Sequence, residues 1–300
     1  MKLNFSQEVS SARRTLKPLV ALETSVLAQG LPYPHNLECQ KRCEDAIREE
    51  GAIPASMAVI EGQLYVGLEE AQLKLLSKGK GLMKLGSRDL AIAVARKATG
   101  GTTVSATCEL AVAAGIHVFA TGGLGGVHRG VEDHMDISQD LPAIGRWPVA
   151  VVCAGAKSVL DLPRTLEVLE TLSVPVVGVG TNELPGFYTR ETGITLEHRV
   201  DDAKEAAEMI RARRDLKQGG MVFALPPPAK TSLKRADVEK HITAALALAK
   251  KKKVEGKAVT PFLLGQMVER TKGKSLNANL ALLENNARFA AKLALGLGWR

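Results

Sequence analysis

Aromatic side chains are scarce in this chain: three Tyr, six Phe and two Trp among 300 residues, or 4%. Modules that read single-stranded RNA stack bases on aromatic rings, so this composition argues against nucleic acid as a partner even though the net charge is +8. The positive balance serves a phosphorylated small molecule equally well. Cysteines are also few. Cys39, Cys43, Cys108 and Cys153 form no CxxC pair and no small-domain framework, which fits a reduced, cytoplasmic protein rather than a cross-linked secreted scaffold. Cys39 and Cys43 stand four apart on an expected helix, as packing residues or as half of a two-thiol metal site. No apolar run approaches the about 20 residues of a membrane span, so no membrane partner is expected. The opening MKLNFSQEVSSARRTLKP lacks the apolar stretch of a secretory signal. Its Arg13, Arg14 and serines faintly suggest an organellar import peptide, and Glu8 argues against one. Internal repeats and low-complexity linkers are absent too.

What is present is a chain that is 45% hydrophobic, with a core that Ala, Val, Leu and Ile must fill. Short apolar runs alternate with helical stretches, the signature of an α/β fold. Residues 19–22 read as a buried strand, and 36–50 as a helix that Gly51 stops. The runs 57–60 and 63–66 flank Glu61-Gly62, which suits a two-residue hairpin. Residues 82–85 form a further expected strand, and Ser87 is expected to cap a helix over 88–98. A small-residue helix over 105–114 precedes a strand over 117–120. A polar, glycine-rich loop over 121–147 follows, and a loop of that length in a compact domain is usually functional. Then come strands over 149–153 and 174–179 around a helix over 161–172, an amphipathic helix over 201–218, and a strand over 221–225 stopped by three prolines. Helices over 236–253, 260–271 and 277–296 complete the chain. Lys250–Lys253 sits where cations complement a helix C-terminus.

Three clusters share one layout, in which a strand ends and a polar or glycine-rich segment begins. Ligands of open α/β sheets bind beyond the carboxyl ends of strands. The first cluster is Glu23-Thr24-Ser25, where a carboxylate directly after a buried strand is either a partly desolvated proton donor or a turn or helix cap. The second runs from Thr121 through four glycines to His128-Arg129-Gly130, and paired glycines let backbone N–H groups approach an anion. It is neither a Walker A loop nor a clean GxGxxG. Glu132, Asp133, His134, Asp136 and Asp140 follow, as a solvated acidic loop, an oxygen-rich Mg²⁺ or Mn²⁺ site, or a zinc site of His128, His134 and Asp136. In the third, Cys153-Ala154-Gly155-Ala156-Lys157-Ser158, a lysine leaves a buried strand through small residues. It is either an exposed strand-end lysine or a desolvated amine able to form a Schiff base with a sugar aldehyde. Lys84, the Gly100-Gly101-Thr102-Thr103 run before a helix N-terminus, and Asn279, Asn285 and Asn286 are weaker signals.

These segments resemble the pseudouridine-5′-phosphate glycosidases, the IndA-like family, over about residues 17–296. The resemblance is carried by ALETSVLAQGLPYPHN (21–36), KLGSRDL (84–90), GGTTVSATCELAVAAGIHVFATGGLGGVHRG (100–130), DISQDL (136–141), VVCAGAKSVLDLPRTLEVLETLSVPVVG (151–178) and TPFLL (260–264). Two small departures stand out: Glu23-Thr24-Ser25 where the family usually reads Glu-Ser-Thr, and Gln29 where it often has His. The resemblance implies a single three-layer α/β/α domain over 17–300 with a mixed, largely parallel sheet, preceded by an N-terminal extension over 1–16. It implies reversible cleavage of the C–C glycosidic bond of pseudouridine 5′-phosphate to uracil and ribose 5-phosphate, with Lys157 as the imine-forming nucleophile and Glu23 as the proton donor. It implies Asp136 as the direct protein ligand of one Mn²⁺ ion, and Lys84, Val104, Ser138, Gln139 and Asp140 as substrate-binding positions. His128, Thr121 and Asn286 are candidates for phosphate or ribose contacts. A homotrimer is the assembly it suggests. Another Schiff-base aldolase or lyase acting on sugar phosphates is the alternative activity, and a basic RNA-binding protein the alternative from another class.

Overall fold

The computed structural model describes residues 2–254 and 259–298. The chain opens with β1 (Leu3–Phe5), α1 (Gln7–Arg14) and β2 (Leu19–Leu22). One π-helical turn over Val26–Gly30 leads to α2 (His35–Glu49), then to β3 (Ile53–Ile60), β4 (Gln63–Val66) and α3 (Glu70–Lys78). Next are β5 (Met83–Leu85), α4 (Ser87–Ala95), β6 (Gly100–Thr102) and α5 (Val104–Ala113). The middle of the chain carries β7 (Val118–Ala120), β8 (Val127–His128), α6 (Val131–His134), α7 (Asp140–Arg146), β9 (Ala150–Cys153), β10 (Leu160–Asp161) and α8 (Leu162–Thr171). It closes with β11 (Val176–Val179), β12 (His198–Val200), α9 (Ala203–Asp215), β13 (Met221–Ala224), α10 (Arg235–Lys251), α11 (Val259–Arg270) and α12 (Lys274–Leu297).

The sheet is mixed and mostly parallel. β2, β7, β9, β13, β11 and β12 lie side by side and all parallel. β3 continues the parallel run from β2, then turns through the Glu61-Gly62 hairpin into antiparallel β4. Both turn residues are left-handed, at φ 50° and 75°, as a type I′ turn demands. β6 pairs with β3 and carries β5. The central strands are buried along their whole length, which is why they read as unbroken apolar runs rather than alternating ones. Helix α12 packs on β2, β7 and β9, with α2 and α9 against it; α5, on β2 and β7 and against α7, belongs to a second helical layer.

Several expectations change. Ser87 does not cap α4: Gly86 is the N-cap and its N–H donates to Asp89 at 3.0 Å, while the Ser87 hydroxyl donates to the Ser105 carbonyl at 2.9 Å. That helix stops at Ala95 because Lys97 turns left-handed and the Ala98 N–H closes on the Ala93 carbonyl. The 121–147 stretch is not structureless, since β8, α6 and α7 lie within it. Within the expected N-terminal extension, β1 and α1 pack onto the domain. β1 pairs with β4, and Val9 is fully buried in the main core, a burial that contributes roughly 1.5–3 kcal/mol. Cys39 and Cys43 are both buried core residues of α2, and a hydrogen bond with Cys39, with burial adding to it, pushes the Cys43 thiol well above its ordinary range. That burial in the core is what the packing reading expects. No helix among the described residues is long and apolar enough to cross a membrane.

Candidate active site

Three neighbouring strands deliver the three clusters to one end of the sheet. β2 ends at Leu22 and Glu23 follows directly, only 7% exposed. Its two carboxylate oxygens accept hydrogen bonds from the hydroxyls of Thr121 and Ser25. Those partners are hydroxyls rather than helix N–H groups, which sets aside the cap reading. Thr24 fixes the turn from behind: its hydroxyl donates to the Met57 carbonyl at 2.6 Å and accepts from the Thr102 N–H at 3.1 Å.

The glycine loop leaves β7 and runs alongside the lysine turn that leaves β9. Ala154 N–H donates to the Gly122 carbonyl at 2.9 Å, Leu124 N–H to Gly155 at 3.0 Å, and Lys157 N–H to Leu124 at 3.0 Å. β8 and β10 then pair, setting His128 opposite Leu160. The glycines allow close packing here. A Cβ on Gly123 would lie 2.5 Å from the Phe187 ring, and one on Gly125 2.3 Å from the Ser138 hydroxyl. The Gly125 N–H, expected to face an anion, is instead bonded to Asp140 Oδ2 at 2.9 Å, and Asp140 Oδ1 accepts the Ser105 N–H at 3.0 Å. This 5% exposed carboxylate therefore ties the glycine loop to the first turn of α5.

These segments enclose a cleft of about 280 Å³ lined by Glu23, Lys84, Val104, His128, Asp136 and Lys157, with Ser138, Gln139 and Asp140 along one wall. Nine of the eleven residues singled out from the sequence meet there. Thr121 and Asn286 do not line it. Thr121 sits behind Glu23, and the fully buried Asn286 donates to the Thr121 carbonyl at 2.9 Å. Both support the wall rather than touch the space. The cleft also exposes Ser25, Arg88, Thr103 and Leu160, which were not singled out as contacts. All four stood inside motifs already quoted, but Leu160 carried no polar signal.

His128 Nε2 stands 3.8 Å from Asp136 Oδ2. Burial pushes the imidazole below its ordinary range, Asp136 opposes that, and the cations Lys157 and Lys84 add to it. A neutral imidazole beside a carboxylate can donate one hydrogen bond and accept another. The Asp136 side chain is 46% exposed at the mouth. A single accessible carboxylate suits a hydrated Mg²⁺- or Mn²⁺-type ion that keeps most of its waters; it does not suit a closed zinc site. The side chains of Asp133 and His134, the latter part of the zinc alternative, lie outside the described residues.

The model of the family described as indigoidine synthase A like protein matches residues 8–296. The chain belongs to the indigoidine synthase A-like family. Among its curated relatives, the pseudouridine-5′-phosphate glycosidase of Myxococcus xanthus is 63% identical over 297 residues, covering 98% of each chain. That of Caldanaerobacter subterraneus is 48% identical over 296 residues, covering 98% of this chain and 96% of the relative. Among solved structures, the prealnumycin C-glycosynthase AlnA in complex with ribulose 5-phosphate superposes with a TM-score of 0.90 at 35% identity, covering 98% and 96% of the two chains. An indigoidine synthase A-like protein of Thermotoga maritima gives 0.89 at 35%, with the same coverage. The match over residues 8–296 takes in every strand from β2 to β13, β12 at one edge of the sheet included.

Proposed function

We propose that the chain is a pseudouridine-5′-phosphate glycosidase that cuts the bond between uracil C5 and ribose C1′ through an imine at Lys157. The observation that carries this reading is the convergence of Glu23 and Lys157, from strands β2 and β9, on one cleft. The names of the full-length relatives support the substrate.

An ordinary glycosidase uses two carboxylates and expels an oxygen leaving group. Here the leaving atom is carbon, so the base must be made neutral before it departs. Lys157 Nζ attacks C1′, the C1′–O4′ bond breaks, and O4′ takes a proton as the ring opens. Glu23 delivers a proton to uracil C5. The nitrogen lone pair then forms the C1′=N bond while the C1′–C5 electrons restore the uracil double bond. Water hydrolyses the imine, releasing ribose 5-phosphate and the free lysine. The hydroxyls of Thr121 and Ser25 hold the Glu23 carboxylate in one orientation through these steps. Lys84, Ser138, Gln139 and Val104, at the start of α5, line this cleft and would form its phosphate end, where a helix N-terminus favours an anion.

Asp136 would hold a divalent ion, Mn²⁺ by the family's habit, whose charge would orient the substrate's hydroxyl or phosphate oxygens. The same family habit supports a cytoplasmic homotrimer, for which light scattering should give three times the 32.0 kDa chain mass. The deciding assay is uracil release from pseudouridine 5′-phosphate. The unaltered protein should turn over and Lys157→Ala should not; appreciable activity in that variant would remove the lysine from the mechanism. Borohydride with ribose 5-phosphate should add one covalent mass at Lys157.

A further inference from the structure

Arg129 stands in the glycine-rich cluster, yet its guanidinium lines a neighbouring cavity of about 320 Å³ rather than the cleft. Its donors are directed at the lysine turn. Nε donates to the Leu160 carbonyl at 3.3 Å and Nη2 to the Ser158 carbonyl at 3.3 Å. Nη1 and Nη2 each reach one oxygen of Glu239, on α10, at 3.1 Å. The Lys157 N–H donates to the Leu124 carbonyl and the Lys157 carbonyl accepts the Leu160 N–H, both at 3.0 Å. The backbone that aims the lysine is therefore held on one side by the glycine loop and on the other by a single guanidinium.

We propose that Arg129 is a positioning residue for Lys157, with Glu239 fixing its fork. The proposal rests on Lys157 being the imine-forming lysine. Only a planar, five-donor group can span two carbonyls and a carboxylate at once; a lysine keeps the charge and loses the span. The pair is 31% and 48% exposed, and exposed pairs contribute little to stability. Its worth is geometric, because a misplacement of about 1 Å at a reacting atom can cost about 100-fold in rate.

The test follows the borohydride-trapped adduct with ribose 5-phosphate by mass, recording both its rate of formation and its final amount, together with steady-state kinetics. In Arg129→Ala the adduct should reach one per chain but form about 10- to 100-fold more slowly, with KM within about twofold because the guanidinium does not touch the cleft. Arg129→Lys should recover little of the rate, and Glu239→Gln, which leaves the arginine in place, should fall between. Trapping at the unaltered rate in Arg129→Ala overturns the proposal. So does a reduced final amount formed at the unaltered rate, since that marks lost folding rather than lost aim. No adduct in the unaltered protein would overturn the Lys157 reading itself, and this inference with it.

Discussion

Replacing Asp140 separates a residue that binds substrate from one that builds the wall substrate meets. Its carboxylate is buried and accepts two backbone N–H groups, from Gly125 at 2.9 Å and Ser105 at 3.0 Å. Asparagine has nearly the same shape but turns one acceptor into a donor, so one of those N–H groups faces an NH₂ with nothing to accept it. An unsatisfied buried donor costs about 1–3 kcal/mol. For chains of this size a kilocalorie lowers the melting temperature by about 2 °C or slightly more, so Asp140→Asn should melt about 2–6 °C lower. Asp140→Ala strands both donors and should lose about twice as much. Because Gly125 and Val104 both line the cleft, untying the loop from α5 should also reduce kcat/KM by about tenfold or more. Differential scanning fluorimetry and the uracil-release assay measure the two effects. An Asp140→Ala protein that melts with the unaltered chain yet no longer binds ribose 5-phosphate would refute the reasoning, since the carboxylate would then act on ligand alone.

Glu23→Gln should lower uracil release by about 100-fold or more while ribose 5-phosphate is still trapped at Lys157, because imine formation from the free sugar does not need a proton delivered to uracil; loss of both together would place Glu23 in the lysine's chemistry instead. Chelation should reduce turnover and Mn²⁺ should restore it, with Asp136→Asn weakening Mn²⁺ binding measured by calorimetry; full activity of a metal-free preparation would take the ion out of the reaction. Burial, with Arg214 adding to it, holds His117 below its ordinary value of 6.5, against a hydrogen bond that the ring donates to the Pro148 carbonyl. The folded state therefore prefers the neutral ring, and this contribution is present above pH 6.5 and is lost as pH falls through the depressed folded value. His117→Gln should flatten the fall of melting temperature on the acid side of neutrality, and an unchanged slope would contradict the assignment.

Strand and helix order were legible because burial leaves plain marks. Residues 19–22 and 221–225 are unbroken apolar runs, and the structure makes the first β2 and most of the second β13. The glycine loop was harder. From sequence its glycines suit an anion cradle, but Gly123 and Gly125 are required by Phe187 and Ser138, which lie far along the chain. Asn286 misled for a related reason. An asparagine on a helix has the chemistry of a ligand contact, and nothing local reveals that its amide is directed under the loop at Thr121 and Gly122. β1 and α1 were set aside because their burial depends on β4 and β3, which lie some fifty residues later. Local pattern fixes which segments are strands or helices; which side chain faces the cleft depends on partners distant in sequence.

The parallel sheet also answers a requirement of the proposed chemistry. Adjacent strands are about 4.8 Å apart, and β7 lies between β2 and β9, so the backbones that carry Glu23 and Lys157 leave the sheet about 10 Å from each other. Side chains from the two outer strands can therefore approach a substrate bond from opposite sides, the acid toward uracil C5 and the amine toward C1′. The strand between them ends in Thr121, whose hydroxyl holds the acid. A carboxylate and a lysine from a single strand end would start closer together and share one side, where an ion pair would consume both. The separation by one intervening strand keeps the two groups apart without a substrate and within reach of neighbouring carbons when one is bound, and it is set by the paired strands together with the lysine turn that the glycine loop holds through backbone hydrogen bonds.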